Sequence, residues 1–412
     1  MCLHIGIVTP NFPPDLCGLA LYAKDLAHTL AEMNCLISVF TVTKNSAFPE
    51  REVVSPNLIV NRYNFQQEKE AYEIVISTGL SSMAKNWLLT QKILLYHKEK
   101  PFDVLEFSNW NAIGYYHSLN KIAPHVTRVS TGILQVFKDM NDTGGVEDIS
   151  LVHQLATYEK ISIENSDLII ASTLSHWIDI KNKYSIRSSM ADKLKLIPLG
   201  IEIPDLGRRK ALGGRKEHTF NILYVGRLTH RKGFDLFVKA IINVLTFAEN
   251  ADRRINVTII GEDAASGNIG MSNWNVFRQQ LPANFCHQVN YLGQTDDREK
   301  ERAYHNADVF VSTSRYESFG LCLVEAMAYG IPIVGFTDVG LSSIIPEDSC
   351  GIFVPQWDTD KLSDSIQFLI NNRELGEEIG KFGNLYALEN FNRIRMAEKT
   401  LVEYQKLKKS TQ

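Results

Sequence analysis

Short apolar runs alternate with helical stretches along this chain, and they do so in two separate series. The first begins at once: His4 to Val8 reads as a buried strand, and Leu19 to Met33 follows with Ala20, Ala23, Leu26, Ala27 and Leu30 at helical spacing. Leu36 to Val42, Val104 to Phe107, Arg128 to Ser130 and Leu168 to Ala171 are the further strands of that series. The second runs through Phe220 to Val225, Asn256 to Ile260, Gln288 to Leu292, Asp308 to Ser312 and Ile331 to Phe336. Such alternation predicts a parallel sheet with helices on both faces. Between the series, residues 202–218 carry Pro204, Gly207, Gly213, Gly214 and a basic cluster, which is linker composition. A chain of 412 residues also exceeds one ordinary core. The expected fold is α/β: two Rossmann-like, doubly wound domains spanning 1–203 and 204–388, with the last helix, about 389–412, packing back on the first.

The bulk numbers remove several function classes. A net charge of −4 with mixed acids and bases argues against nucleic acid as a partner, which needs a basic face. The six cysteines form no Cys-x-x-Cys pair, so reduced thiols in a cytoplasmic protein are expected rather than disulfides or zinc. No apolar run is long enough to span a bilayer. Met1-Cys-Leu-His-Ile enters a strand directly, which leaves no room for a signal peptide at this end.

The most informative chemistry lies between Arg315 and Val334. Glu317 sits in the loop after the strand Asp308 to Ser312, and Glu325 sits inside the following helix. Between them, Ser318, Phe319, Gly320 and Leu321 open that helix, whose first amides lack internal partners and suit a phosphate. From Ser318 to Glu325 the helical rise is roughly 10 Å at about 1.5 Å per residue. Two acids flanking an anion site can hold hydroxyls on either side of it, as a nucleotide diphosphate sugar presents them. The second series opens with Gly226-Arg-Leu-Thr-His-Arg-Lys-Gly233 directly after a strand. Arg227 and Lys232 therefore fall at the carboxyl end of a parallel sheet, where such folds bind ligands, and two cations there can neutralise a diphosphate. In the first series, Thr9 to Gly18 is a long loop that ends in a glycine at a helix start, without the Gly-x-Gly-x-x-Gly of a nicotinamide or flavin site.

Together these elements resemble the family-four glycosyltransferases of the GT-B fold, in which two domains face each other across a cleft. The resemblance covers nearly the whole chain, with lesser matches at Ser166 to Ser172, Ile197 to Glu202 and Val289 to Gly293. It implies a retaining, metal-independent hexosyltransferase without cofactor, whose substrates are a nucleotide diphosphate sugar and a hydroxyl acceptor. It implies that Arg227 and Lys232 hold the donor diphosphate, that Glu317 faces the donor sugar and that Glu325 holds the ribose. Gly18, Gly226 and the helix start at Ser318, Phe319, Gly320 and Leu321 are expected on donor phosphate or sugar. Gln294 and Thr295 are expected to border the base, with uridine favoured over guanosine. The acceptor, a carbohydrate or lipid-linked molecule of polysaccharide or glycolipid biosynthesis, falls to the first domain.

Three positions depart from the family pattern. Cys17 replaces the first of two glycines before the helix, Ser130-Thr131 stands where the family often has a histidine, and Val339 to Ser343 lacks the acid of its later motif. Glu106, Asn109 and Trp110, after the strand Val104 to Phe107, join Ser130 and Thr131 as acceptor-side candidates. Asp358-Thr-Asp360 spells a metal-type motif, but Asp358 precedes a helical stretch and is expected to cap it. Ser82 to Lys98 is expected to pack on the first sheet; a peripheral contact with the inner face of a membrane is its other reading. The competing functional readings are a non-catalytic nucleotide-sugar binder and a GT-B epimerase or phosphorylase.

Overall fold

The structure is a computed structural model that describes residues 3–15, 17–43, 45, 47–65, 81–142, 149–204, 219–263, 271–337, 344–345 and 349–411. The departure at Val339 to Ser343 and most of the 202–218 linker lie outside the described residues. The chain divides into two units. The first comprises Met1–Lys138, Val146–Glu202 and Arg393–Gln412, and the second centres on Ile203–Asn392.

The first unit holds an eight-stranded sheet. Its strands are β1 (His4–Val8), β2 (Leu36–Val42), β3 (Arg51–Ser55), β4 (Leu58–Tyr63), β5 (Val104–Ser108), β6 (His125–Val129), β7 (Leu168–Ala171) and β8 (Leu194–Leu196), in the order β3-β4-β2-β1-β5-β6-β7-β8. All neighbours are parallel except the β3–β4 hairpin at one edge. Every residue of β1, β5, β6 and β7 is buried, as central parallel strands with covered faces require. The helix Gly18–Glu32 buries Ala20, Ala23, Leu26, Ala27 and Leu30, the periodic set its sequence presents. The helix Ser81–Glu99 buries Met83, Ala84, Leu88, Leu89 and Ile93, so it packs against its own unit. No helix among the described residues is long and apolar enough to cross a membrane.

Strand β6 starts three residues before its apolar pattern suggests, and the reason is polar satisfaction. His125 stands 2.8 Å from His117, Thr127 bonds Ser166 at 2.6 Å, and Arg128 pairs with Glu106 at 3.1 Å. Each buried polar group finds a partner elsewhere in the chain, which lets a polar-rich segment run through a covered sheet.

The second unit holds six parallel strands: β9 (Thr219–Val225), β10 (Arg254–Ile260), β11 (Val289–Gly293), β12 (Val309–Ser312), β13 (Ile333–Phe336) and β14 (Gly351–Val354). Their order is β11-β10-β9-β12-β13-β14. Winding therefore runs outward one way from β9 through β11, then returns to start again at β12. This is the order of dinucleotide-binding sheets, and it opens a crevice beyond the carboxyl ends of β9 and β12. The helix Phe234–Asn250 is apolar over most of its face, burying Phe234, Phe237, Ile241, Val244 and Leu245 in the core beside β9 and β10.

Candidate active site

The loops after β9 and β12 are fastened to each other before they hold anything else. The Arg315 amide donates to the Arg231 carbonyl at 2.8 Å, and the Thr313 hydroxyl donates to the Lys232 carbonyl at 3.1 Å. The Arg315 guanidinium donates to the His230 carbonyl at 2.6 Å and grips both Asp235 oxygens at 2.7 Å. Arg231 returns a bond to the Tyr316 carbonyl at 3.3 Å. Gly233 is what lets the two loops approach. It has φ 64°, and a Cβ there would lie 1.8 Å from the Thr313 carbonyl oxygen.

This fastening brings Lys232 Nζ to 2.5 Å from Glu317 Oε1, with the Ser314 hydroxyl donating to the same oxygen at 2.7 Å. Burial opposes the charge on Glu317. Lys232 and Arg231 nearby, with the bonds from Lys232 and Ser314, outweigh burial and hold its pKa below the ordinary carboxyl value. Lys232, Ser312, Thr313, Ser314, Glu317 and Gly320 line one pocket, and Cys322 joins them. Gly320, at φ 79°, turns the chain into the helix Leu321–Ala328, aiming that helix start at the pocket. Ser318 is half-buried beside this turn. The Phe319 ring is buried edge-on against Phe391, 5.6 Å between centroids, and anchors the loop.

Glu325, one turn into the same helix, is held by two groups from the helix Asp297–Asn306. Lys300 meets Oε1 at 2.6 Å and the Tyr304 hydroxyl donates to Oε2 at 2.7 Å. Burial works against the Lys300 charge, but Glu325 beside it more than compensates and raises its pKa. Burial also pushes the Cys322 thiol up to about 11, so it is no nucleophile at neutral pH. Arg227 lies apart from these groups. Its side chain is 60% exposed and pairs with Glu262 at 3.0 Å. Gly226 continues the sheet pairing, its amide donating to the Ile260 carbonyl at 2.9 Å. Gln294 is exposed and Thr295 half-buried directly after β11.

In the first unit the corresponding reversal lies between β1 and β5. Gly18 is the exposed first residue of its helix, behind Cys17 in extended conformation. Asn109 is fully buried, and its Oδ1 accepts from the Ser130 amide at 2.6 Å and the Ser130 hydroxyl at 3.0 Å. Trp110 and Thr131 are half-buried beside them. Glu106 corrects the expectation of an acceptor contact. It is 2% exposed, paired with Arg128 at 3.1 Å, and accepts from the hydroxyls of Tyr22 and Tyr404. Both oxygens are engaged inside the core, so this carboxylate locks the helix Arg393–Thr411 onto the first sheet.

The sequence pattern also missed Arg231, Ser314, Lys300 and Tyr304. Only Arg231 had a signal, its place in the basic cluster beside Lys232. Asp358 does cap its helix: its carboxylate accepts from the Lys361 amide at 3.0 Å.

Two doubly wound units, the second with an acid–cation site where its winding reverses, define a GT-B protein. Residues 209–385 match the family of glycosyl transferases group 1. Over 428 aligned residues it is 23% identical to the D-inositol 3-phosphate glycosyltransferase of Paenarthrobacter aurescens, covering 98% of this chain and 96% of that one. Sucrose-phosphate synthase from Thermosynechococcus elongatus shares the fold with a TM-score of 0.76 at 21% identity, over 98% of this chain and 99% of that one. HepE of Anabaena, solved with UDP and glucose, does so with a TM-score of 0.69 at 15% identity, over 98% and 100%.

Proposed function

We propose that this protein is a glycosyltransferase that moves a hexosyl group from a nucleoside diphosphate sugar, preferably a uridine one, to an acceptor hydroxyl with retained configuration and without a metal. The observation that carries this reading is the Lys232–Glu317 pair beside the Gly320 helix start, at the carboxyl ends of β9 and β12. A donor diphosphate entering there draws the Lys232 ammonium from Glu317 and meets the first amides of the helix. Glu317, freed of its cation and kept ionised, then accepts from hydroxyls of the sugar. The exposed Arg227 swings from Glu262 to the phosphates. The bond from the anomeric carbon to the diphosphate breaks as the acceptor oxygen bonds that carbon, and the departing diphosphate takes the acceptor proton. The protein's task is to stabilise the leaving charge, and preorganised groups do this efficiently. Glu325 accepts from the ribose hydroxyls, while Gln294 and Thr295 border the base.

The UDP bound by HepE supports a uridine donor, and the inositol phosphate in the name of the Paenarthrobacter enzyme supports a hydroxylic acceptor. A carbohydrate or lipid-linked acceptor places the reaction in polysaccharide or glycolipid biosynthesis, in the cytoplasm or at the inner face of its membrane. The test is a thermal-shift panel of UDP-, GDP- and ADP-sugars with donor hydrolysis measured alongside, since a bound donor must stabilise the fold. UDP-sugars are expected to give the largest shift and to be hydrolysed slowly. A shift without hydrolysis or transfer points to a non-catalytic binder, and no shift with any nucleotide sugar overturns the reading.

A further inference from the structure

Glu159 lies in the helix Ile149–Glu164 and is fully buried, yet among the described residues its carboxylate pairs with no other charge. Its bonds go to two loops. Oε1 accepts from the Asn111 amide at 3.0 Å, in the loop after β5. Oε2 accepts from the Ile133 amide at 3.1 Å, in the loop after β6, and from the Tyr184 hydroxyl at 2.5 Å. Tyr184 in turn accepts from the Leu134 amide at 3.1 Å. Burial raises the Glu159 pKa to about 7, and the bonds from Tyr184, Ile133 and Asn111 pull the other way.

Both loops are shaped around this carboxylate. Asn111 and Ala112 have φ of 58° and 51°, two successive non-glycine residues in the left-handed region, which unsupported backbone avoids. Gly132 leaves room for the carboxylate and its tyrosine: a Cβ there would lie 2.2 Å from the Tyr184 hydroxyl and 3.1 Å from Glu159 Oε2. At the other end of the same loops, Asn109 Oδ1 ties down Ser130, while the Asn109 Nδ2 is buried without a partner among the described residues. Residues 108–112 and 130–133 thus form one edge at the carboxyl ends of β5 and β6, beside the winding reversal of the first unit, and they carry hydroxyls, amides and an indole but no charged side chain.

We infer that Glu159 is a positioning residue for the acceptor: from inside the unit it sets the loops 109–112 and 130–133 as one fixed edge for an uncharged, hydroxyl-bearing group. The inference rests on the proposed transfer reaction for what that edge binds, but not for the clamp itself. Glu159→Gln keeps the shape and loses the charge and one acceptor; Tyr184→Phe removes one bond and leaves the carboxylate in place. Hydrogen exchange on the full chain reads the clamp without substrate. Exchange in 109–112 and 131–136 is expected to accelerate by roughly tenfold in Glu159→Gln, the scale of one lost buried hydrogen bond, and less in Tyr184→Phe, with the rest of the first sheet unchanged. With UDP-glucose as donor and D-glucose as acceptor probe, hydrolysis without acceptor should persist in both variants. The KM for D-glucose should rise several-fold in Glu159→Gln, with kcat changed less. Unchanged exchange in both variants overturns the inference, as does loosening spread evenly over the first unit. Wild-type protein inert towards UDP-glucose counts against the donor reading, and the exchange result still decides on Glu159.

Discussion

At the carboxyl ends of β9 and β12 the second unit presents a lysine and a carboxylate, 18% and 9% exposed, that pair with each other and line a pocket. At the carboxyl ends of β5 and β6, next to the reversal between β1 and β5, the first unit presents Ser108, Asn109 and Ser130, bonded among themselves. Its charged pair, Glu106–Arg128, lies deeper, 2% and 4% exposed, with Glu106 accepting from the hydroxyls of Tyr22 and Tyr404. The same winding rule makes a crevice in both sheets. What differs is where charge is kept: within reach of a ligand in one unit, locked inside the fold in the other. An anionic diphosphate needs the first arrangement, and a neutral hydroxyl group is served by the second.

The comparison breaks most readily at Arg128. Losing one partner of a buried ion pair strands the other charge, at a cost of about 3–5 kcal/mol. Arg128→Met should therefore lower the unfolding midpoint of the first unit sharply, and adding Glu106→Gln should recover much of the loss. Should Arg128→Met melt like the parent while acceptor use fails, the pair belongs to the substrate side after all.

Lys232→Ala comes next. Removing one preorganised group that stabilises developing charge costs about 3 kcal/mol of barrier, so turnover should fall at least about a hundredfold while the fold persists. The effect of Arg227→Ala should be smaller, because Arg227 rests on the surface against Glu262. Steady-state rates of both variants, set beside their melting curves, check the order; a Lys232→Ala enzyme with normal turnover removes the second unit's site.

How much of this was legible follows from how each group is supported. Lys232 and Glu317 could be read because each sits in a loop directly after an apolar strand, and the winding of a parallel sheet brings such loops together. Lys300 could not: it lies in the run Asp297-Arg-Glu-Lys-Glu-Arg302, and only its contact with Glu325 separates it from its charged neighbours. Glu106 was misread because an acid near a strand end looks like a ligand-binding group. The Tyr404 hydroxyl that occupies it comes from 298 residues along the chain. Glu159 was silent for a similar reason, since two of its partners are backbone amides, which no side-chain pattern displays, and the third is the Tyr184 hydroxyl, 25 residues along the chain.

Acid should separate the two units. Burial lowers the pKa of His117 and of His176 to about 4, and burial with His117 nearby holds His125 well below the ordinary 6.5. All three rings stay neutral in the folded first unit, while an unfolded chain protonates them from about pH 6.5 downward. The unfolded state therefore binds more protons between about pH 6.5 and 4, and the first unit loses stability as pH falls through that window. Glu159 acts with the opposite sign: its raised pKa means that its contribution is present below about pH 4.5 and is lost as pH rises towards about 7. In the second unit Glu317, with its lowered pKa, keeps its contribution until pH falls below the ordinary carboxyl range. Hydrogen exchange resolved by unit at pH 7, 5.5 and 4.5 should show the first unit opening earlier. Simultaneous opening would mean that the buried histidines do not set the difference.

The smallest effect tests whether charge near a chain end of the second sheet matters for its own sake. Asp358 follows β14 and, with Asp360, looks like a metal-binding pair, yet its carboxylate is spent on the Lys361 amide and pairs with the Lys361 ammonium at 3.5 Å. The amide bond, ahead of the charge of Lys361, lowers its pKa, as expected for a helix cap. Asp358→Asn keeps a capping oxygen and removes the charge, whereas Asp358→Ala removes both. If the role is capping, Asp358→Ala lowers the thermal midpoint slightly, Asp358→Asn lowers it less, and both keep parental turnover whether or not magnesium or manganese is supplied. Turnover lost in both variants and restored by excess metal would instead give the second unit a catalytic cation, and Lys232 would no longer be its main source of positive charge.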